Sequence, residues 1–294
     1  MRDALGPTDW VRGPGDDAAA LPQGDGHLLV AGEAVWPDLV AADPRAAGAA
    51  AVVANVNDIA AMGGRPLGLV DHVVAPAETA RALLEGLAWA ARLYDAPILG
   101  GHLTVREGEP HLSAAIVGRA ERLLAAAHAV PEQTVLFACA PEGTLRSDFP
   151  FVVSLSARAA LVAGDVEVLA DLAESGAAVA AKDASMAGAL GSLAMLLEPA
   201  RCGASVDLDR MPLPARVPLV EYVHAFHSFG FWLLAPPEGA PRCVRAFEER
   251  GLAAAALGET DGTGRLRVRR AGHEVDLVDL GRAGITNLGP RART

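Results

Sequence analysis

Cysteine is scarce in this chain. The three present, Cys139, Cys202 and Cys243, are far apart and lack the short spacings of metal ligands or redox pairs. A disulfide-stapled scaffold is thereby excluded, and reduced core cysteines are the expectation. Positive charge is also short, with 25 Lys and Arg against 36 Asp and Glu and a net charge of −11. Nucleic acid as a partner is excluded on that ground, because phosphate binding needs clustered cations. The only basic run, Arg265-Leu266-Arg267-Val268-Arg269-Arg270, alternates like an edge strand with one solvated face. No charge-free apolar run approaches membrane-spanning length, and no leader pattern opens the chain, so no membrane partner and a cytoplasmic location are expected. Aromatics are few, while alanine and glycine are plentiful, a composition suited to closely packed helices on a sheet.

With 294 residues the chain has room for two domains of ordinary size. Leu28 to Ala34 reads as a strand, and Pro44 to Met62 as a long helix capped by Asp43 and ended by Gly63-Gly64. Leu67 to Ala75 is an apolar strand and Glu78 to Tyr94 has helical period. Pro97 to Leu99 opens a buried strand running into Gly100-Gly101, and His111 to Gly118 is another strand. The stretch Arg119 to Glu132, marked by Pro131, connects to a second unit. There, strands are expected at Thr134–Ala138, Phe151–Ser156, Phe229–Ala235 and Leu266–Arg270. Helices are expected around Val166–Glu174, Met186–Leu197 and Arg242–Arg250. The expected class is α+β (α/β) in two domains, 1–130 and 131–294, and not one doubly wound sheet.

Four segments carry chemistry. In Gly13-Pro14-Gly15-Asp16-Asp17, glycines let the backbone approach a ligand, and two adjacent carboxylates near a phosphate require a divalent cation such as magnesium between them. The same residues also suit a surface turn capping a short helix. In Asn55-Val56-Asn57-Asp58, an ionised Asp58 on a helix apolar nearly all round needs a partner or a metal. Asn55, three residues earlier, lies on the same face, while Arg65 offers Asp58 a purely structural partner. Gly100-Gly101-His102 ends a strand so that His102 projects into a cleft as ligand or phosphate donor, or serves as a satisfied structural histidine. Lys182-Asp183-Ala184-Ser185 opens a helix whose amides suit a phosphate, with plain capping as the alternative.

In this order and spacing the four segments resemble the aminoimidazole ribonucleotide (AIR) synthetase-related, or PurM-like, superfamily. The resemblance runs from Gly15-Asp16-Asp17-Ala18 through the stretch Asn57-Asp58-Ile59-Ala60-Ala61-Met62-Gly63-Gly64-Arg65-Pro66 and Gly100-Gly101-His102 to Lys182-Asp183-Ala184-Ser185. The segment Ala255–Glu259 looks like the family's last turn into its final strand. The resemblance implies an N-terminal domain pairing into a homodimeric β-barrel, a C-terminal α+β sandwich, and ATP with magnesium in a cleft lined by the N-terminal domain. It implies metal ligands at Asp16, Asp17 and Asp58, with Glu33 where relatives carry Asp. Gly15, Asn55, Asn57, Gly100 and Gly101 are then expected beside the nucleotide. His102, Lys182 and Asp183 are expected to face the transferred group or an unidentified small-molecule acceptor.

Departures narrow the choice within the superfamily. His102 stands where many members have Asp, and Met186-Ala187 where some kinases have an acidic residue and glycine. No cysteine precedes Cys139, which disfavours the selenophosphate branch, and the end Arg291-Ala292-Arg293-Thr294 lacks the cysteine of the hydrogenase-maturation branch. The expected chemistry is ATP-dependent phosphoryl transfer to, or activation of, a small-molecule oxygen. The rival expectation is a nucleotide-binding partner protein without turnover, motivated by His102 and Met186-Ala187.

Overall fold

The computed structural model describes residues 16–286. In the first domain β1 (Ala19–Gln23) and β2 (Gly26–Ala34) form a hairpin, and α1 (Pro37–Ala42) leads into α2 (Pro44–Ala61). β3 (Arg65–Ala75), α3 (Ala77–Leu93), β4 (Ile98–Val105) and β5 (His111–Ala120) follow. The sheet order is β1-β2-β5-β3-β4. β3 and β4 pair in parallel, as a helical crossover demands, and the other neighbours are antiparallel. The α2 start is as expected: Asp43 Oδ1 accepts the Ala46 amide at 3.0 Å and Pro44 stands at the first turn.

Helices α2 and α3 cover one sheet face and touch each other at two glycines. A Cβ on Gly48 would lie 2.0 Å from the Leu83 carbonyl oxygen, and one on Gly86 would lie 2.0 Å from that of Arg45. The alanine-rich sequence is what allows this approach. It makes α2 a buried element with apolar neighbours nearly all round, so anything polar on it is enclosed.

After the connection 121–133, the second domain comprises β6 (Thr134–Cys139), β7 (Thr144–Leu145), β8 (Phe151–Val153), α4 (Val162–Glu174), β9 (Ala180–Asp183), α5 (Gly188–Leu197) and β10 (Gly203–Asp207). It continues with α6 (Leu219–His224), β11 (Phe226–His227), β12 (Gly230–Ala235), α7 (Ala240–Glu248), β13 (Ala253–Asp261), β14 (Arg265–Arg270) and β15 (His273–Asp279). Its main sheet runs β15-β14-β10-β13-β6-β12-β9, beside a small sheet β11-β8-β7. Strands β6 and β12 are buried on both faces. Leu136, Ala138, Phe231 and Leu233 join the core shared with the first domain, while Phe137, Trp232 and Leu234 alternate into a second core under α5 and α6.

Several expectations need correction. β4 is exposed over most of its length, and Gly100-Gly101 lie within it, because it is the sheet's edge strand. Lys182-Asp183 end β9 and do not open a helix; α5 starts at Gly188 with no side-chain cap. The basic run β14 is not an edge strand. It lies between β15 and β10, and its arginines pair with acids: Arg265 with Asp276, Arg267 with Asp261, Arg269 with Asp207. Ala255–Glu259 falls inside β13 in the sheet's interior. Strands β9, β10, β13 and β15, short or interrupted by small and charged residues, have no counterpart in the periodicity reading.

The glycine contact yields a stability prediction. Gly86→Val forces a side chain against the α2 backbone and is expected to cost about 2 kcal/mol or more. Urea unfolding checks it; an unchanged midpoint would mean the helices re-space freely.

Candidate functional site

The chain contains 24 arginines and one lysine, and that lysine, Lys182, is buried at the domain junction. β9 delivers it together with Asp183, and its ammonium contacts the carboxylates of both Asp17 and Asp183. Asp58 arrives from the buried α2. Carboxylate oxygens of Asp17, Asp58 and Asp183 lie within 4.8 Å of one another. Glu33, from the end of β2, and Asp16 complete a group of five carboxylates around one ammonium, lining a cavity of about 310 Å³ between the domains.

Charge crowding sets the chemistry here. Burial, offset by Lys182 and reinforced by Asp183 and Asp16, pushes the Asp17 carboxyl up to about 8. Burial and then the neighbouring Asp183 and Asp17 hold Asp58 well above the carboxylate range, and Glu33 is raised for the same kinds of reason. Asp16 rises to about 6 through burial, although it accepts the Ala126 amide at 3.0 Å. Burial alone would pull Lys182 down, yet Asp17, Asp183 and Asp58 outweigh it and keep the ammonium charged. One ammonium cannot compensate this many carboxylates, so the cluster alone retains protons. The buried Oδ2 atoms of Asp17 and Asp58 have no hydrogen-bond partner among the described residues. Clustered hard oxygen donors with unspent lone pairs fit a cation such as magnesium.

Asn57 ties the domains at this point: its Nδ2 donates to the His227 and Ser228 carbonyls at 3.4 and 3.3 Å. His227 also lines the cavity, and burial lowers its pKa to about 4, leaving it neutral.

Not every expected residue converges here. Asn55 is buried away from the cavity lining and donates to the Ala51 carbonyl at 2.8 Å. Arg65 pairs with Glu174 and Asp171, so the structural partnership with Asp58 does not occur. Asp16 accepts a distant amide and caps no adjacent helix. Gly100, Gly101 and His102 sit on edge strand β4, outside the cavity lining of a single chain. His102 registers with His72 and contacts Thr104 Oγ1 at 3.3 Å on the exposed strand, so it does not project into this cleft. Gly15 lies outside the described residues.

Asp71 escaped the sequence reading. It occupies the inward parity of β3 between Leu69 and Val73, and burial raises its pKa. A Cβ on Gly101 would lie 2.6 Å from its Oδ2, so Gly101 is the residue that leaves room for this carboxylate. An acidic residue interrupting an otherwise apolar, inward-facing parity was the available signal.

With this geometry in view, comparison with known proteins is decisive on family. Residues 15–120 match the AIR synthase related protein N-terminal domain, and residues 153–271 its C-terminal domain. An uncharacterised protein from Synechocystis is 35% identical over 246 residues, covering 83% of this chain and 76% of its own length. The chain belongs to the AIR synthase-related family. Its fold matches Thermotoga maritima PurL complexed with ADP, at a TM-score of 0.76 and 21% identity, covering 95% of this chain and 47% of that one. It also matches AaThiL complexed with AMPPCP and TMP, at a TM-score of 0.70 and 19% identity, covering 93% and 92%. The chain thus spans about half the length of the PurL chain it matches.

A pH dependence follows from the cluster. Above about pH 6.5 the neutral His227 has the same charge folded and unfolded, and ceases to contribute. Asp17, with its folded pKa raised, still holds a proton up to about pH 8 that the unfolded chain has lost. Stability therefore falls as pH rises through this window. Metal-free protein is expected to lose about 2 kcal/mol of unfolding free energy between pH 6.5 and 8.5. A flat urea-unfolding profile would mean these carboxylates are already ionised.

Proposed function

We propose that this chain binds ATP with magnesium and uses it to phosphorylate, or to activate by phosphorylation, an oxygen of a small molecule. The buried group of Asp17, Asp58 and Asp183 around a lone ammonium carries the reading. Such a group is costly to assemble unless it serves a multivalent cation and phosphates. The bound ADP and AMPPCP named for two proteins of this fold support the nucleotide assignment.

On this reading Asp17, Asp58 and Asp183 hold magnesium, with Asp16 and Glu33 flanking them. Magnesium, when bound, supplies positive charge opposite the phosphate oxygens. Lys182 keeps Asp17 and Asp183 in place beside the metal. Glu33 and Asp71 face the same side of the first sheet, their registers linked through Ala114, so the nucleotide runs along that face past Gly101. Asn57 fixes the second domain against α2, so that groups from both domains meet at one point. Phosphoryl transfer of this kind is positioning and charge neutralisation, which is what these residues do. Within one chain, His102 points away from the cavity, so the replacement of an acidic residue there does not favour the rival reading of binding without turnover. ADP release in the presence of an acceptor distinguishes the two.

The chain also acts as a homodimer on this proposal. Leu21, Val30 and Val70 alternate onto the first-sheet face turned away from the helices, and Leu67 and Leu99 are exposed beside them. An apolar sheet face of this kind asks to be covered. A cytoplasmic location accompanies the proposal, and no helix among the described residues is long and apolar enough to cross a membrane.

Asp58→Asn is expected to weaken magnesium-dependent binding of a non-hydrolysable ATP analogue by at least about tenfold, or about 1.4 kcal/mol. An unchanged dissociation constant in calorimetry would remove Asp58 from the metal site. Light scattering is expected to give twice the 30.2 kDa chain mass, with Val70→Glu shifting the protein to monomer. A monomeric wild type would refute the dimer.

A further inference from the structure

The acidic floor is only half of the cavity. Its other half is a wall of large apolar side chains supplied by both domains: Trp36 and Leu39 from the lead into the buried helices, and Phe149, Met186, Met195 and Phe226 from the second domain. Phe226 stacks on Phe151 with ring centres 4.1 Å apart and meets Phe149 edge-on at 5.5 Å, so these rings are fixed by one another. Trp36 and Met186, from opposite domains, are 49% and 54% exposed, an unusual exposure for such side chains at a cavity rim. The Trp36 ring is steadied by Nε1 donating to Asp38 Oδ2 at 3.2 Å.

The wall contains no arginine among the described residues, although the chain has 24. Among the described residues the one cation lining the cavity, Lys182, is already engaged by Asp17 and Asp183. A phosphate ester or carboxylate on the acceptor would therefore find no cation of its own and would face five carboxylates. A magnesium–nucleotide complex is itself net negative, because one divalent ion offsets only part of a triphosphate's charge, so it does not remove this excess. Flat rings suit the wall by stacking, and a positive ring is favoured further by aromatic faces over an acidic floor.

We infer that the cavity between the domains takes an acceptor with a flat aromatic ring and no negative charge, neutral or cationic, seated between Trp36 and the Phe149–Phe226 pair with its reactive end toward the carboxylates. The inference rests on the phosphoryl-transfer reading above, in which the nucleotide follows the first-sheet face toward Gly101 and leaves this wall to the acceptor.

The test compares two probes that share a ring, benzyltrimethylammonium and benzyl phosphate, by calorimetry on the full chain with and without magnesium and AMPPCP. The ammonium probe is expected to bind at least about tenfold more tightly. Trp36→Ala, at a half-exposed position that the fold does not need, is expected to abolish most of that preference while changing AMPPCP affinity less than about twofold. Equal binding of the two probes, or tighter binding of benzyl phosphate, would overturn the inference. So would a Trp36→Ala variant that loses AMPPCP and keeps the ammonium probe, since the wall would then belong to the nucleobase. If AMPPCP fails to bind wild-type protein, the phosphoryl-transfer reading falls, and the probe comparison without nucleotide still decides the charge and ring preference.

Discussion

Five carboxylates share one ammonium at the junction of two domains, and the surrounding structure is arranged to tolerate that imbalance. Burying unpaired charge is among the most expensive things a fold can do. Here the cost is moderated by retained protons on Asp17 and Asp58, by the Ala126 amide on Asp16, and by Lys182 between Asp17 and Asp183. The identity of the cation matters as much as its charge. Elsewhere the chain uses arginine for every positive site, including the pairs along β14 and the buried Arg158–Asp165 pair. An ammonium is compact, and its donors can turn toward two partners at once without the fixed plane of a guanidinium.

Delivering these groups to one point requires close packing on both sides of α2. The paired glycines of α2 and α3 bring the helices together against the first sheet, and the second domain presses on the other flank of α2. Asp58 is enclosed for that reason. The β12 strand, apolar at every position, carries the shared core on one face and a separate core on the other, and pairs directly with β9, which ends in Lys182-Asp183. The position of the lysine is thus fixed by a strand buried on both sides.

Much of this was legible in the residues. The alanine-rich run between the Asp43-Pro44 start and the Gly63-Gly64 end defined α2, and its apolar surroundings marked Asp58 as a residue needing a partner. Family resemblance then joined Asp16, Asp17 and Lys182-Asp183 to it. What was illegible depended on long-range register. Asn55 has the same helical spacing as a ligand, yet turns its amide back to Ala51. Gly100-Gly101 resembles a strand end, but which strand lies at the sheet edge is decided by pairing, and pairing leaves no local mark. Asp71 left a local mark, a charge at inward parity, that a reading by average hydrophobicity passes over. Phe149 and Phe226 are separated by 76 intervening residues and become one ring pair only through the β11–β8 pairing.

The shared core also limits how the site can work. Residues of α2, α4, β6 and β12 form one continuous apolar cluster beneath the carboxylates, and Asn57 is bonded to two second-domain carbonyls above it. Wide separation of the domains would expose that cluster and break those bonds, so ligands enter without it. The route left to them is past the exposed lining residues, Trp36 of the first domain and Met186 of the second. A ligand arriving there meets apolar surface first and charge last. On the proposed function the order has a consequence: ring stacking would be gained at the rim before the reacting oxygen loses its water near the carboxylates. On that proposal charge crowding marks where the transfer takes place, and the rigidity of the domain junction leaves the rim to select what reaches it.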